Sequence, residues 1–357
     1  MTESHQLVPV RPIRIQAIDW HRGLSVLVMI EGHSLVLLHP SHNGDWLRSF
    51  LDVVNGLGAP SFLLLAGVSL GYSVLIGSTD GLQDRRVAAW GRVRTLASAT
   101  ILMRVLGQPV FRDPKWEHWL KVDILGCILG SMLIGMLVLH VVGRYPKILL
   151  SLTALAGVGL LVAAPLAEGH TTTALSYFTS TRSGSMFPVF PWGGIVLIGM
   201  SCGAALTVFG RRGLRLSLVA MALLFGVLAS QTSGILEFMP GPNTWIFPNA
   251  CQRMWKIAAI LLALDAIESG AQGLVTRLSP IFRLLKLAGS ESLAAYCIHL
   301  CLIFGLFGIP FLSPLQGKCG WPAWFGLAVL TTAATIGSIL AWNRWARRGR
   351  SKARASP

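Results

Sequence analysis

Charge is scarce in this chain. Only 13% of its 357 residues are Asp, Glu, Lys or Arg, against about a quarter in a soluble globular domain. Acidic charge is scarcest, with 15 Asp and Glu beside 30 Lys and Arg. These shortages, with a mean hydropathy of +0.62, exclude an ordinary soluble globular domain. No stretch between the apolar runs is large enough to fold alone. A disulfide framework is also missing. Cys127, Cys202, Cys297 and Cys301 lie inside apolar runs, Cys251 at the edge of one, and Cys319 in a loop. The opening MTESHQLVPVRPIR has no short apolar stretch before a small-residue cleavage site, so no removable signal peptide is expected. Walker loop, Rossmann fingerprint, paired Cys-x-x-Cys and HExxH are all absent.

What the chain does have is apolar length. Ten runs are candidate spans: 20–39, 55–77, 93–111, 122–142, 147–166, 189–209, 214–232, 250–268, 287–309 and 321–343. With the N-terminus in the cytoplasm, most of the 30 Lys and Arg fall in the inside segments, and every inside segment is basic. The expected fold is all-α: a polytopic membrane protein of about ten transmembrane helices in one bundle, both termini cytoplasmic. It divides into a cytoplasmic segment 1–19, a membrane domain 20–343 and a basic tail 344–357. The net charge of +15 then faces anionic lipid headgroups, and no nucleic acid partner is expected. Outer loops 40–54, 110–121, 167–188 and 233–249 carry Trp46, Trp116, Trp119 and Trp245, as an interfacial belt or as lids over a cavity. "APSFLLLAGVSLG" echoes "FPWGGIVLIGMSCG", each with Gly-x-Ser-x-Gly. Small-residue helix packing is the expected reason.

Polar residues inside the runs carry the chemistry. In "DWHRGLSVLVMIEGH", Arg22 and His33 are eleven residues apart, about 16 Å or half of a ~30 Å hydrocarbon core. Eleven residues are near three full turns, so Asp19, Arg22, Val26, Met29 and His33 share a stripe, while Glu31 projects from nearly the opposite side. "LLKLAGSESLAAYCIHLCLIFG" places Ser292, Tyr296 and His299 on one side of a second helix, with His299 expected near mid-membrane by its distance from Lys286. Two imidazoles and a cytoplasmic-side arginine suit a buried proton-transfer site. Arg104 reads as a lipid-snorkelling residue or a phosphate ligand. "HPSHNGDW" spaces His39, His42 and Asp45 three apart, but in a Pro- and Gly-containing loop this fixes no geometry, and no metal is expected.

"RIQAIDWHRGLSVLVMIEGH" resembles the opening of the transmembrane acyltransferases, and its Arg-x10-His interval is similar to the acyltransferase-3 pattern. "GAPSFLLLAGVSL" resembles the second membrane segment of the heparan-alpha-glucosaminide N-acetyltransferase group. "FPVFPWGGIVLIG" and "LAGSESLAAYCIHL" resemble later segments of its bacterial members. The resemblance implies transfer of an acyl group, acetyl above all, from cytoplasmic acyl-CoA to a glycan or similar acceptor outside a bacterial plasma membrane. In the lysosomal branch the catalytic His belongs to a loop that "HPSHNG" matches at His39, Ser41, Asn43 and Gly44. Both His33 and His39 are therefore candidate catalytic residues. Arg14, Arg22, Arg92 and Arg104 would bind the donor. Asp19, Asn43, Ser292, Tyr296 and His299 would bind the acceptor. Homo-oligomers are compatible with this reading. A proton-coupled small-molecule transporter, using the intramembrane His and Glu, is the alternative.

Overall fold

The computed structural model describes residues 14–75, 82–106, 120–167, 174–231, 246–306 and 309–355. Trp116, Trp119 and Trp245 lie outside them. The described elements are helices joined by turns, and no β-strand occurs among them. The longer ones, in chain order, are α1 (Gln16–Ser34), α2 (Trp46–Asn55), α3 (Gly58–Leu75), α4 (Leu82–Leu106), α5 (Ile124–Val142), α6 (Pro146–Val162), α7 (Val189–Ser230), α8 (Ile246–Gly270), α9 (Ser279–Ser290), α10 (Ser292–Phe304) and α11 (Trp321–Ala355).

The centre is α3 against the first half of α7. Residues Pro191 to Leu206 are buried all round, as expected of a helix that is apolar on every face. The two Gly-x-Ser-x-Gly stretches meet here. A side chain on Gly67 or Gly71 would strike the Val196 or Met200 carbonyl, and one on Gly199 or Gly203 the Leu64 or Val68 carbonyl. The echo in the sequence is thus a reciprocal small-residue contact that brings two backbones together. Gly210, at φ +63°, takes the left-handed conformation that other residues avoid. It breaks α7, and Gly213 returns against the Ala205 carbonyl.

By length and apolarity alone, four helical stretches among the described residues are able to cross a bilayer: Trp46–Leu75, Ile124–Val142, Val189–Ser230 and Trp321–Ala346. A fifth is added if the bent α9–α10 pair is one span. That is half the expected ten. Helices α1, α4 and α8 are long enough, but they carry ionisable residues: Asp19, Arg22 and Glu31; Arg85, Arg86, Arg92 and Arg94; Arg253, Lys256 and Asp265. Much of that charge is met inside the protein. Asp265 is 1% exposed and paired with Arg211 (2.6 Å) and Arg215. Glu268 accepts the backbone N–H of Gln16 and Ala17, both at 3.0 Å. It thereby caps α1, whose own N-cap residue, Ile15, has no side chain for the task.

Two expectations are corrected. Residues 46–55 form a helix, with Trp46, Phe50 and Val53 exposed on one side and Arg48, Asp52 and Asn55 on the other. The run 287–309 is bent by 86° between Ser290 and Ser292. Its depth therefore cannot be counted from Lys286, which lies on the other limb.

Candidate functional site

Helix α1 lies across the site from end to end. It sits so close to α9 that a Cβ on Gly23 would overlap the Leu285 carbonyl, and one on Gly289 the Asp19 carbonyl. Val26 and Ile30 turn toward Ala288 and Ala295, so Val26 leaves the predicted stripe. Asp19, Arg22, Met29 and His33 remain and line three cavities in succession.

The first cavity, of about 180 Å³, is a basic vestibule containing Arg14, Asp19, Arg22 and Arg92, with Ser69, Tyr72 and Ser73 opposite. Arg14 Nε donates to Asp19 Oδ2 at 2.8 Å, and Arg22 stands 3.8 Å from the same carboxylate. Arg22 also donates to Ser69 Oγ at 2.6 Å. Two cations thus share one acid, and Arg92 adds a third. A group of this kind has net positive charge and forked donors suited to phosphate oxygens.

The second cavity, about 370 Å³, shares Arg22, Ser69 and Arg92 with the vestibule. The rest of its wall is apolar, from Phe62, Ala66, Leu70, Leu96, Leu125, Ile128, Met132 and Leu293, except for Ser292 and Tyr296. At its far end Met29, Ile124 and Tyr296 separate it from a third cavity of about 240 Å³. That chamber contains His33, with Arg48, Asp52 and Asn55 from α2 and Asp123 from the start of α5.

His33 is held by aromatic neighbours. His299 stacks on it with ring centroids 5.1 Å apart, and Tyr296 and Phe304 meet it edge-on at 6.3 and 5.9 Å. Its Nδ1 is 2.9 Å from Nε2 of His299, which is fully buried and whose Nδ1 is 2.8 Å from the Ala295 carbonyl oxygen. The bend before Ser292 brings this about. It points α10 at α1, so that Ser292 and Tyr296 enter the apolar shaft while His299 reaches His33.

Other predicted residues lie elsewhere. His39 is exposed on the turn after α1, where its Nδ1 accepts from the Ser41 hydroxyl and backbone N–H. Asn43 is exposed on the same turn. Neither lines the three cavities. The turn is clasped to the start of α11: Trp321 Nε1–H and His42 both bond Asp45 Oδ2 at 2.8 Å, and His39 N–H donates to the Cys319 carbonyl. Those two donors hold the Asp45 carboxyl below the usual carboxylate range, Trp321 having the larger effect. Whereas Arg92 is near the middle of α4, Arg104 lies in the last turn of that helix. It donates to the Lys121 carbonyl and stands 3.9 Å from Asp123, so it is part of the α4–α5 corner and not of the vestibule.

The polar strip of α2 was not among the candidate site residues, although "WLRSFLDVVN" signals it by placing Arg48, Asp52 and Asn55 opposite Trp46, Phe50 and Val53 at helical spacing. Both polar atoms of the Asn55 amide are buried without a hydrogen bond. The amide lies beside the Glu31 carboxyl but outside bonding geometry. Glu31, facing away from His33, therefore abuts α2.

Comparison with known families gives a match to the family described as heparan-alpha-glucosaminide N-acetyltransferase, catalytic, over residues 14–236. A comparison with curated proteins gives no significant match. The matched region includes α1 to α7 and the whole vestibule, and ends before α8. It lends no support to the transporter alternative.

Proposed function

The chain belongs to the heparan-alpha-glucosaminide N-acetyltransferase catalytic family, and on that premise we propose that it moves an acetyl group from cytoplasmic acetyl-CoA to the amino group of a sugar acceptor at the far face of the membrane. In this reading both termini are cytoplasmic and about ten segments span a bacterial plasma membrane. The vestibule then opens to the cytoplasm, which agrees with the excess of Lys and Arg on that side.

One observation supports the reading above others: the cavities follow one another from three arginines to a histidine. Arg22 and Arg92, with Arg14, would hold the diphosphate of the donor. Its pantetheine arm would lie in the apolar shaft, where it meets no charge beyond Arg22 and Arg92. The thioester would reach the partition at Met29 and Tyr296, within range of His33. The acceptor would enter the chamber between His33 and the polar strip of α2.

The chemistry then follows. The acceptor amine, uncharged, attacks the thioester carbonyl and forms the new N–C bond. His33 takes the proton that the nitrogen loses. The tetrahedral adduct collapses by breaking the C–S bond, and His33 returns the proton to the departing sulfur as CoA leaves. An imidazole suits both transfers because its ordinary pKa is near 6.5, and a positioned base contributes about 10²–10⁴-fold.

Purified protein given radiolabelled acetyl-CoA and glucosamine-terminated oligosaccharides should acetylate them. His33→Ala should lose at least about a hundredfold in kcat, with little change in the KM for acetyl-CoA. Failure of the wild type with every acyl donor and sugar offered would overturn the proposal.

A further inference from the structure

We propose that His299 is a positioning residue that fixes the tautomer of His33 and thereby selects the nitrogen that acts as base. The inference rests on the transfer reaction proposed above. It concerns a residue beyond the family match, which ends at position 236.

The chain of hydrogen bonds begins at a group with no proton to give. The Ala295 carbonyl oxygen only accepts, so His299 Nδ1, 2.8 Å away, carries the hydrogen. In a neutral imidazole the other nitrogen then holds the lone pair. That nitrogen, Nε2, is 2.9 Å from His33 Nδ1. A hydrogen bond at this distance needs one donor and one acceptor, and the acceptor is already assigned. His33 Nδ1 must therefore carry its hydrogen, which leaves the lone pair on His33 Nε2. Two short contacts thus relay the polarity of a backbone carbonyl through two rings to the chamber.

The arrangement also supports the charged intermediate. When His33 takes the acceptor's proton at Nε2, its Nδ1–H becomes a charge-assisted donor to His299, and such bonds are about twice as strong as neutral ones. His299 itself gains and loses no proton. The local fold holds it in register. It has no exposed surface, Tyr296 abuts its ring edge-on at 5.5 Å, and the carbonyl it uses is one helical turn back in α10.

The test compares His299→Leu with His299→Gln. Leucine fills space without accepting a hydrogen bond, whereas the glutamine side-chain oxygen accepts from His33 Nδ1–H. His299→Leu should lose about tenfold to a hundredfold in kcat, a part of what a positioned base supplies. KM for both substrates should stay within about twofold, and the acidic limb of the kcat–pH profile should move. His299→Gln should regain most of the rate. Nitrogen-15 NMR of labelled histidine should find His33 protonated at Nδ1 in the wild type and the Gln variant, and mixed in the Leu variant. Equal impairment of the two variants with an unmoved pH profile and tautomer would overturn the inference, as would full activity of His299→Leu. Undiminished transfer by His33→Ala is a different result. It would remove His33 as the base and leave the pairing of the rings untouched.

Discussion

Arg22→Ala tests the donor end of the site most directly, because the structure limits what else the substitution disturbs. Asp19, the acid beside Arg22, keeps its closer partner Arg14 at 2.8 Å, so no buried carboxylate is stranded. Ser69 loses one bond and stays on the cavity wall. What disappears is a guanidinium facing the proposed diphosphate. A hydrogen bond to a charged group contributes about 1.5–3 kcal/mol. At 1.4 kcal/mol per factor of ten, that is a rise of roughly tenfold to a hundredfold in the KM for acetyl-CoA. The kcat should change less than about threefold, since His33 is about 16 Å further along α1. The assay is initial-rate kinetics with two donors, acetyl-CoA and acetyl-pantetheine, on wild type and variant. Acetyl-pantetheine has no diphosphate, so the substitution should leave its KM nearly unchanged, and the difference between donors isolates the contact. Arg22→Lys should recover part of the loss, because an ammonium keeps the charge without the fork. An equal loss with both donors, or one confined to kcat, would refute the assignment of the vestibule.

Three further outcomes follow from other parts of the molecule. Gly23→Ala places a methyl group against the Leu285 carbonyl, a backbone atom that no side-chain rotation relieves; thermal unfolding in detergent should show a loss of about 1–3 kcal/mol, while Gly159→Ala, with nothing within 4 Å, should not. Asp265→Asn leaves Arg211 and Arg215 facing a neutral amide; because those arginines are 31% and 43% exposed, the cost should fall at the low end of the ~3–5 kcal/mol seen when a buried pair is broken, and the same unfolding experiment measures it. The Asp45 carboxyl is held below its ordinary pKa of about 3.9, so its share of the clasp is fully present above that value and is lost as pH falls through the lower folded one. With His42, which packs on the Trp321 ring, replaced by Gln, the Trp321 indole N–H signal in NMR should hold steady from about pH 8 to 5 and step on further acidification, and Asp45→Asn should remove the step.

Helix faces were legible in the sequence, and what each face meets was not. The interval from Arg22 to His33 gave their order along α1 and their common side, because a helix fixes rise and angle per residue. The same periodicity put Ser292, Tyr296 and His299 together. It gave no warning of the bend at Glu291, which separates Lys286 from His299, nor of the contact between His33 and a ring 266 positions away. Arg104 shows the limit from the other side. It shares a helix with Arg92, yet twelve residues along that helix place it at the opposite end of the site. His39 shows that a short motif carries residue types and not placement. "HPSHNG" matches a catalytic loop by residue type, but here the turn is tied to α11 by backbone and Asp45 contacts, with His39 facing out.

The matched region includes both proposed ends of the path, the vestibule arginines and His33 with the polar strip of α2. Every wall of the vestibule comes from residues before position 236. Beyond it, α10 adds Ser292, Leu293 and Tyr296 to the cavity walls and His299 behind His33. Gly23 and Gly289 draw α1 and α9 into backbone contact. The 86° bend then turns α10 back along α1, and the ring of His299 arrives at His33. The close approach of the two glycine-bearing helices flanks Arg22, and the base lies about 16 Å further along α1. Substitutions of the vestibule arginines should therefore act on the donor's KM, those at the bend on kcat, and those at the α1–α9 contact, which flanks Arg22, on both. Gly289→Ala drives a methyl group against the Asp19 carbonyl beside Arg22, so it should raise the donor's KM by disturbing the vestibule and also lower kcat by shifting the start of α10.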